Sequence, residues 1–229
     1  LRYLIRAAAV KSANDAATAL GEAIEGSEAA FARRMNRTAK AMGMNRTTFK
    51  NAHGLTESGH LSTARDMTIL GRHLFYDFPD YYNLFARKKT SAGSTQVRNT
   101  NRRFLSHYRG ADGIKTGYTR AAGFNLVASA NRNGERIITT VFGGRSTTTR
   151  NAQVAKLMDL GFKKAPRNVK LQKPKPPSYT AIAKASPVIS ISKSLRPKIR
   201  PENNKTDTLI ATNEYRSCLL YTSDAADDT

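Results

Sequence analysis

The chain has 229 residues, 39% of them apolar, a formal net charge of +21 and a single cysteine, Cys218. One cysteine excludes an intrachain disulfide, no run reaches the roughly 18 apolar residues of a membrane span, and the first ten residues lack the apolar stretch and cleavage site of a signal peptide. The charge attracts polyanions, whether nucleic acid, an anionic membrane surface or an acidic wall polymer, and carries no information about fold.

Charge and proline are unevenly spread. Up to Ala165 there are 27 basic and 11 acidic residues, so the basic excess belongs mainly to the part that folds. Seven of the eight prolines lie between Pro166 and Pro201, and the periodic apolar segments stop near Phe162. The expectation is one domain over 1–163, a basic Pro-rich disordered or extended tail over 164–217, and an abruptly acidic end, 218–229. That end resembles translated adapter DNA and is read as non-native.

In chain order, Leu1, Leu4, Ile5 and Ala8 share one helical face, predicting an amphipathic helix into Lys11. Asp15 is the expected N-cap of a second helix over Ala16–Glu25, which leaves Ser12 and Asn14 in the intervening loop. Ser27 is placed to cap a third helix carrying Phe31, Met35, Ala39 and Met42 and closing at Gly43. Asn51 to Leu55 reads as a loop. Thr63-Ala64-Arg65-Asp66 fits a capping box before a helix that stops ahead of Pro79.

Downstream the pattern changes to strands. Lys88–Ser91 and Thr95–Arg98 flank Gly93 as a hairpin, Asp112-Gly113 reads as a turn feeding Ile114–Thr119, and Asn133-Gly134 joins Phe124–Ala130 to Ile137–Phe142. A closing helix covers Ala152–Leu160. Helices, an antiparallel sheet and a final helix predict an α+β fold.

Two triplets could carry chemistry. In Lys115-Thr116-Gly117 a lysine and a hydroxyl at a strand edge can hold a carboxylate, and a glycine lets a peptide lie close along the strand. Ser-Ala-Asn occurs at 12–14 and at 129–131. Only the first copy lies in an inter-helical loop upstream of Lys115, where a serine can relay a proton and an amide can bind a peptide carbonyl. His53 and His60 fit no zinc spacing and are assigned turn or packing roles.

Four blocks in order, Lys11–Ala17, Phe49–Leu55, His60–Asp66 and Asp112–Thr119, resemble the D-alanyl-D-alanine carboxypeptidases, which are low-molecular-mass penicillin-binding proteins. The resemblance spans roughly residues 1–163. It implies a β-lactamase/transpeptidase-like α+β fold, a sheet flanked by helices with a helical subdomain. It also implies nucleophilic acyl transfer on peptidoglycan stem peptides, sensitivity to β-lactams, a periplasmic or cell-envelope location and no cofactor or metal.

By the resemblance, Ser12 would shuttle a proton, Asn14 would orient the substrate, and Lys115 and Thr116 would bind the terminal carboxylate beside Gly117. The backbone N–H of Tyr118 would serve the oxyanion. Members carry their nucleophile and lysine base as Ser-x-x-Lys ahead of these elements. The only such match here, Ser190-Ile191-Ser192-Lys193, lies in the Pro-rich tail after them. The nucleophile is therefore expected before Leu1, and the chain as given is expected to be inactive. An endopeptidase of the same family is the near alternative. A basic module binding nucleic acid or wall polymer is the distant one, and the chain has no recognised nucleic-acid motif to support it.

Overall fold

The computed structural model describes residues 1–166 and 170–184. Its first half is helical: α1 (Arg2–Arg6) runs into a π-helical turn (Ala7–Lys11), followed by α2 (Asn14–Glu25), α3 (Glu28–Ala41), α4 (Ala64–Asp77) and α5 (Pro79–Tyr82). A 3₁₀ turn (Asn83–Ala86) leads to the hairpin β1 (Lys89–Ala92) and β2 (Thr95–Arg98). After α6 (Arg102–His107) comes the antiparallel sheet of β3 (Ala111–Thr119), β4 (Gly123–Arg132) and β5 (Glu135–Gly144), ordered β3-β4-β5. Helix α7 (Thr147–Lys164) and the short α8 (Tyr179–Lys184) complete the described elements.

The sheet is covered on both faces because its strands alternate. Leu126, Ala128 and Ala130 of β4 pack with Phe104, Val154 and Met158 into a cluster whose members are 0–3% exposed. Burying Val154 and Met158 stabilises the fold by roughly 1.5–3 kcal/mol each. The opposite face takes α4 at Gly71. A Cβ there would lie 3.0 Å from Ile114 Cδ1 and 3.3 Å from Val127 Cγ1, so a larger residue would push these side chains back by a few tenths of an ångström. Asn133 (φ 53) and Gly134 (φ 85) both adopt the left-handed conformation that the two-residue turn between β4 and β5 demands.

Several sequence expectations shift in the structure. Asp15 is not the cap of α2: the helix starts at Asn14 with Ala13 at the N-cap, and the Asp15 carboxylate accepts the N–H of Ala16 instead. Asp112-Gly113 is no turn, because both residues belong to β3 and the irregularity between Ala111 and Gly113 is a bulge. The capping box on α4 is half-formed. Thr63 accepts the N–H of Asp66. The Asp66 carboxylate turns instead to Arg46 N (2.9 Å) and the Thr47 hydroxyl (2.7 Å), tying the 45–48 loop to the helix. Burial opposes ionisation there, but the Thr47 hydroxyl, the Arg46 N–H and the Thr63 hydroxyl outweigh it and hold the carboxyl below its usual value. The closing helix is longer than the apolar period indicated, since the reciprocal cap of Ser146 and Thr149 starts it at Thr147, five residues earlier than Ala152.

The described part of the expected tail is neither helix nor strand over 170–178 and then forms α8. Tyr179 stacks near Phe78 (5.3 Å), and its hydroxyl donates to Asp77 Oδ2 at 2.6 Å. Asp77 also pairs with His73 at 2.9 Å. The end 218–229 and Ser190 to Lys193 lie outside the described residues.

Candidate active site

Three stretches far apart in sequence meet beside the open edge of β3. The first is the π-helical turn, which stops at Ser12 in the left-handed region (φ 64, ψ 36). A serine held there costs about 1 kcal/mol or more, and such strain collects at functional sites, as π turns do. The second is β3, the edge strand that presents Lys115 and Thr116. The third is the 99–101 loop after β2, which several hydrogen bonds pin down. Asn99 donates its amide to Arg87 O (2.8 Å), Asn101 N donates to Asn99 Oδ1 (2.7 Å), and Thr100 N donates to Val10 O (3.2 Å).

The side chains connect across these stretches. Lys115 Nζ donates to Ser12 Oγ and to the Thr116 carbonyl (2.7 Å). Thr100 Oγ1 lies 3.2 Å from Ser12 Oγ and 2.6 Å from Thr116 Oγ1. The result is an unbroken polar chain, Lys115–Ser12–Thr100–Thr116. Lys115 is half-buried as a residue, but its amine end is enclosed, and burial pulls its pKa from 10.5 down to about 8. No carboxylate among the described residues offsets its charge. An anionic ligand can supply that partner, and near neutral pH the amine can also exchange a proton.

A cleft of about 980 Å³ opens beside Lys115 and Thr116, the two members of this polar chain that line it. Lys115 to Thr119 form one wall and the Gly54–Ser62 loop faces them, while Met67, Leu70 and Leu74 of α4 make an apolar floor. The facing loop takes its shape from Asn51, which accepts Gly54 N at 2.7 Å and donates to Leu55 O at 3.1 Å. His53 and His60 are used locally. His53 Nδ1 accepts Leu55 N, while His60 Nδ1 accepts Lys50 N and its ring meets Phe49 edge-on at 5.7 Å.

Of the residues singled out in the sequence, the structure brings Ser12, Lys115 and Thr116 into direct contact. Asn14 stands next to them at the start of α2, and its amide makes none of these contacts. Gly117 and Tyr118 continue along the exposed part of β3, where the Tyr118 ring leans on Phe124 at 4.5 Å. Thr100 is not among the site residues expected from the sequence; there it stands out only as a departure, since many of the carboxypeptidases that the chain resembles carry an arginine just before the asparagine matched by Asn101. Its contacts appear only when the loop is set against Val10.

The D-alanyl-D-alanine carboxypeptidase profile of the S11 peptidase family matches residues 1–146. The chain belongs to this family. It is 42% identical over 167 residues to the D-alanyl-D-alanine carboxypeptidase DacF of Bacillus subtilis, covering 71% of this chain and 42% of the relative. DacA of Escherichia coli K12 is 39% identical over 160 residues, with 70% and 40% covered.

Solved structures of similar shape include the carboxypeptidase DacD of Francisella tularensis (TM-score 0.67, 33% identity, 71% of this chain and 52% of that one). The ampicillin-bound penicillin-binding protein D2 of Listeria monocytogenes is another (TM-score 0.66, 34% identity, 70% and 66% covered). The α+β fold expected from the sequence is thus that of the penicillin-binding proteins. The chain spans about two-fifths of the length of these curated relatives.

Proposed function

We propose that this chain forms the substrate-binding and proton-relay part of a serine-type D-Ala-D-Ala carboxypeptidase acting on peptidoglycan stem peptides in the cell envelope. The observation that carries this reading is the contact of Lys115 with Ser12 across 103 residues, at the mouth of an open strand edge. In the reaction, a serine Oγ supplied by a Ser-x-x-Lys segment preceding Leu1 bonds to the carbonyl carbon between two D-alanines. The C–N bond breaks, the leaving nitrogen takes a proton through Ser12, and water then cleaves the ester to regenerate the serine. Lys115 and Thr116 hold the terminal carboxylate, Asn14 and the edge at Gly117 align the peptide, and the Tyr118 N–H stabilises the oxyanion.

The cleft supports a missing helix as well as a peptide. Its apolar lining includes Phe85, Ile114 and Val127, and the apolar side of α1 (Leu1, Leu4, Ile5) is exposed. An apolar helix bearing the nucleophile fits that floor. The 229-residue chain alone is then inactive, and so is Ser190 in its tail.

Fluorescent penicillin tests the reading. A longer product of the same gene should be covalently labelled and release D-alanine from stem peptides, while the 229-residue chain should not be labelled. A longer product that takes up no penicillin overturns the proposal. Cleavage of cross-linked dimers in preference to pentapeptides would shift it to an endopeptidase.

A further inference from the structure

We infer that Thr100 is a positioning residue, whose single hydroxyl couples the proton of Ser12 to the hydroxyl of Thr116. Lys115 Nζ donates into Ser12 Oγ, so the hydrogen of Ser12 must point elsewhere, and Thr100 Oγ1 stands 3.2 Å away to accept it. Thr100 then gives its own hydrogen to Thr116 Oγ1 at 2.6 Å, which frees the Thr116 hydrogen for the cleft. When Ser12 directs its hydrogen to another base, the order reverses: Thr116 donates to Thr100 and Thr100 donates to Ser12. A hydroxyl carries one hydrogen, so the two orders exclude each other. The state of the relay serine thereby sets whether Thr116 donates into the cleft.

The geometry supports coupling more than packing. The loop backbone is held independently of the side chain, by Thr100 N to Val10 O and by the neighbouring Asn99 and Asn101, both buried. Replacing the hydroxyl by a methyl of the same shape therefore removes the two side-chain hydrogen bonds and leaves the loop in place. The coupling itself is a property of the fold; its use in sensing a substrate carboxylate rests on the function proposed above.

Thr100→Val and Thr100→Ser test it in the 229-residue chain. The first readout is the titration of the Lys115 ε-methylene signal by NMR, assigned by its loss in Lys115→Arg. Without Thr100's oxygen, the lysine amine is the remaining partner of the Ser12 hydroxyl among the described residues, and a hydroxyl that donates to it favours the neutral amine. The midpoint in Thr100→Val should fall by about half a pH unit, and Thr100→Ser should restore it. If the valine variant does not fold, Thr100→Ala serves as the second form without a hydroxyl.

An unchanged midpoint in the valine or alanine variant, or a serine variant that tracks them, overturns the coupling. The second readout is the preference for diacetyl-L-Lys-D-Ala-D-Ala over its C-terminal amide, expected to fall about tenfold in Thr100→Val and to return in Thr100→Ser. A chain that shows the Lys115 shift but binds neither peptide supports the coupling and refutes its use in carboxylate recognition.

Discussion

Ser-Ala-Asn occurs twice in this chain, and the two copies occupy opposite kinds of environment. Ser129 lies in the middle of β4 at 0% exposure, donates to Asp112 and shares a 2.5 Å hydrogen bond with Tyr82. Asp112 is paired with Arg136 at 2.6 Å, and the Arg136 guanidinium sits over the Phe75 ring at 4.0 Å. Asn131 accepts Gly134 N and shapes the following turn. Ser12, by contrast, is held in a strained conformation, next to a lysine that no carboxylate among the described residues neutralises. Both clusters touch β3, at Asp112 and at Lys115. One closes its charges on each other and stabilises the sheet; the other leaves a charge for a ligand to complete.

Substitutions should separate the two clusters by sign. Asp112→Ala leaves Arg136 partly buried without its partner, and urea denaturation should show a loss of about 3 kcal/mol. Lys115→Met should do the reverse, stabilising the fold by about 1–2 kcal/mol at pH 7 while abolishing binding of a D-Ala-D-Ala carboxylate. A destabilised Lys115→Met would break the comparison.

The pH dependence follows the same logic. The fold lowers the Lys115 pKa to about 8, so the unfolded chain holds the extra proton between pH 8 and 10.5. The cost of burying the charge is complete below pH 8, and stability therefore rises with pH through that window. Tyr82 acts oppositely from pH 10: burial raises it to about 12, so the fold disfavours its ionisation. The clean interval for thermal melts is pH 8 to 10, where Lys115→Met should flatten the rise. Affinity for the carboxylate should fall above about pH 8.

Smaller effects sharpen the contrast between the serines. Ser129→Ala should cost about 1–2 kcal/mol by the same denaturation assay, because Tyr82 loses a buried partner. Ser12→Ala should cost about 1 kcal/mol, because the enclosed Lys115 amine loses an acceptor, and should remove the proposed proton relay in a longer product of the gene. Asn131→Ala should cost only about 0.5 kcal/mol, since its bond to Gly134 is long and exposed.

Much of the fold was legible because local rules operated undisturbed. Ser27 caps α3 through Ala30 N, and Asn133-Gly134 makes the turn its residue types demand. Helix α4 begins after Thr63 as its cap predicts. Expectations failed where a side chain had a stronger tertiary partner than its local one. Asp66 left its capping box for Arg46 and Thr47, and Asp112 stayed in a strand because Ser129 and Arg136 receive its carboxylate. In the candidate site, the two triplets could be picked out by order along the chain. Thr100 could not, since its neighbours in space are 16 and 88 residues away.

Helix α8 gives the molecule a mechanical order. Arg72 reaches the carbonyl of Gln172 from the side of α4 turned away from Met67 and Leu70, while Tyr179 grips Asp77 and Phe78. The contacts of Tyr179 therefore bear on α4, the helix whose Met67, Leu70 and Leu74 floor the cleft, so a pull on α8 is felt at that floor.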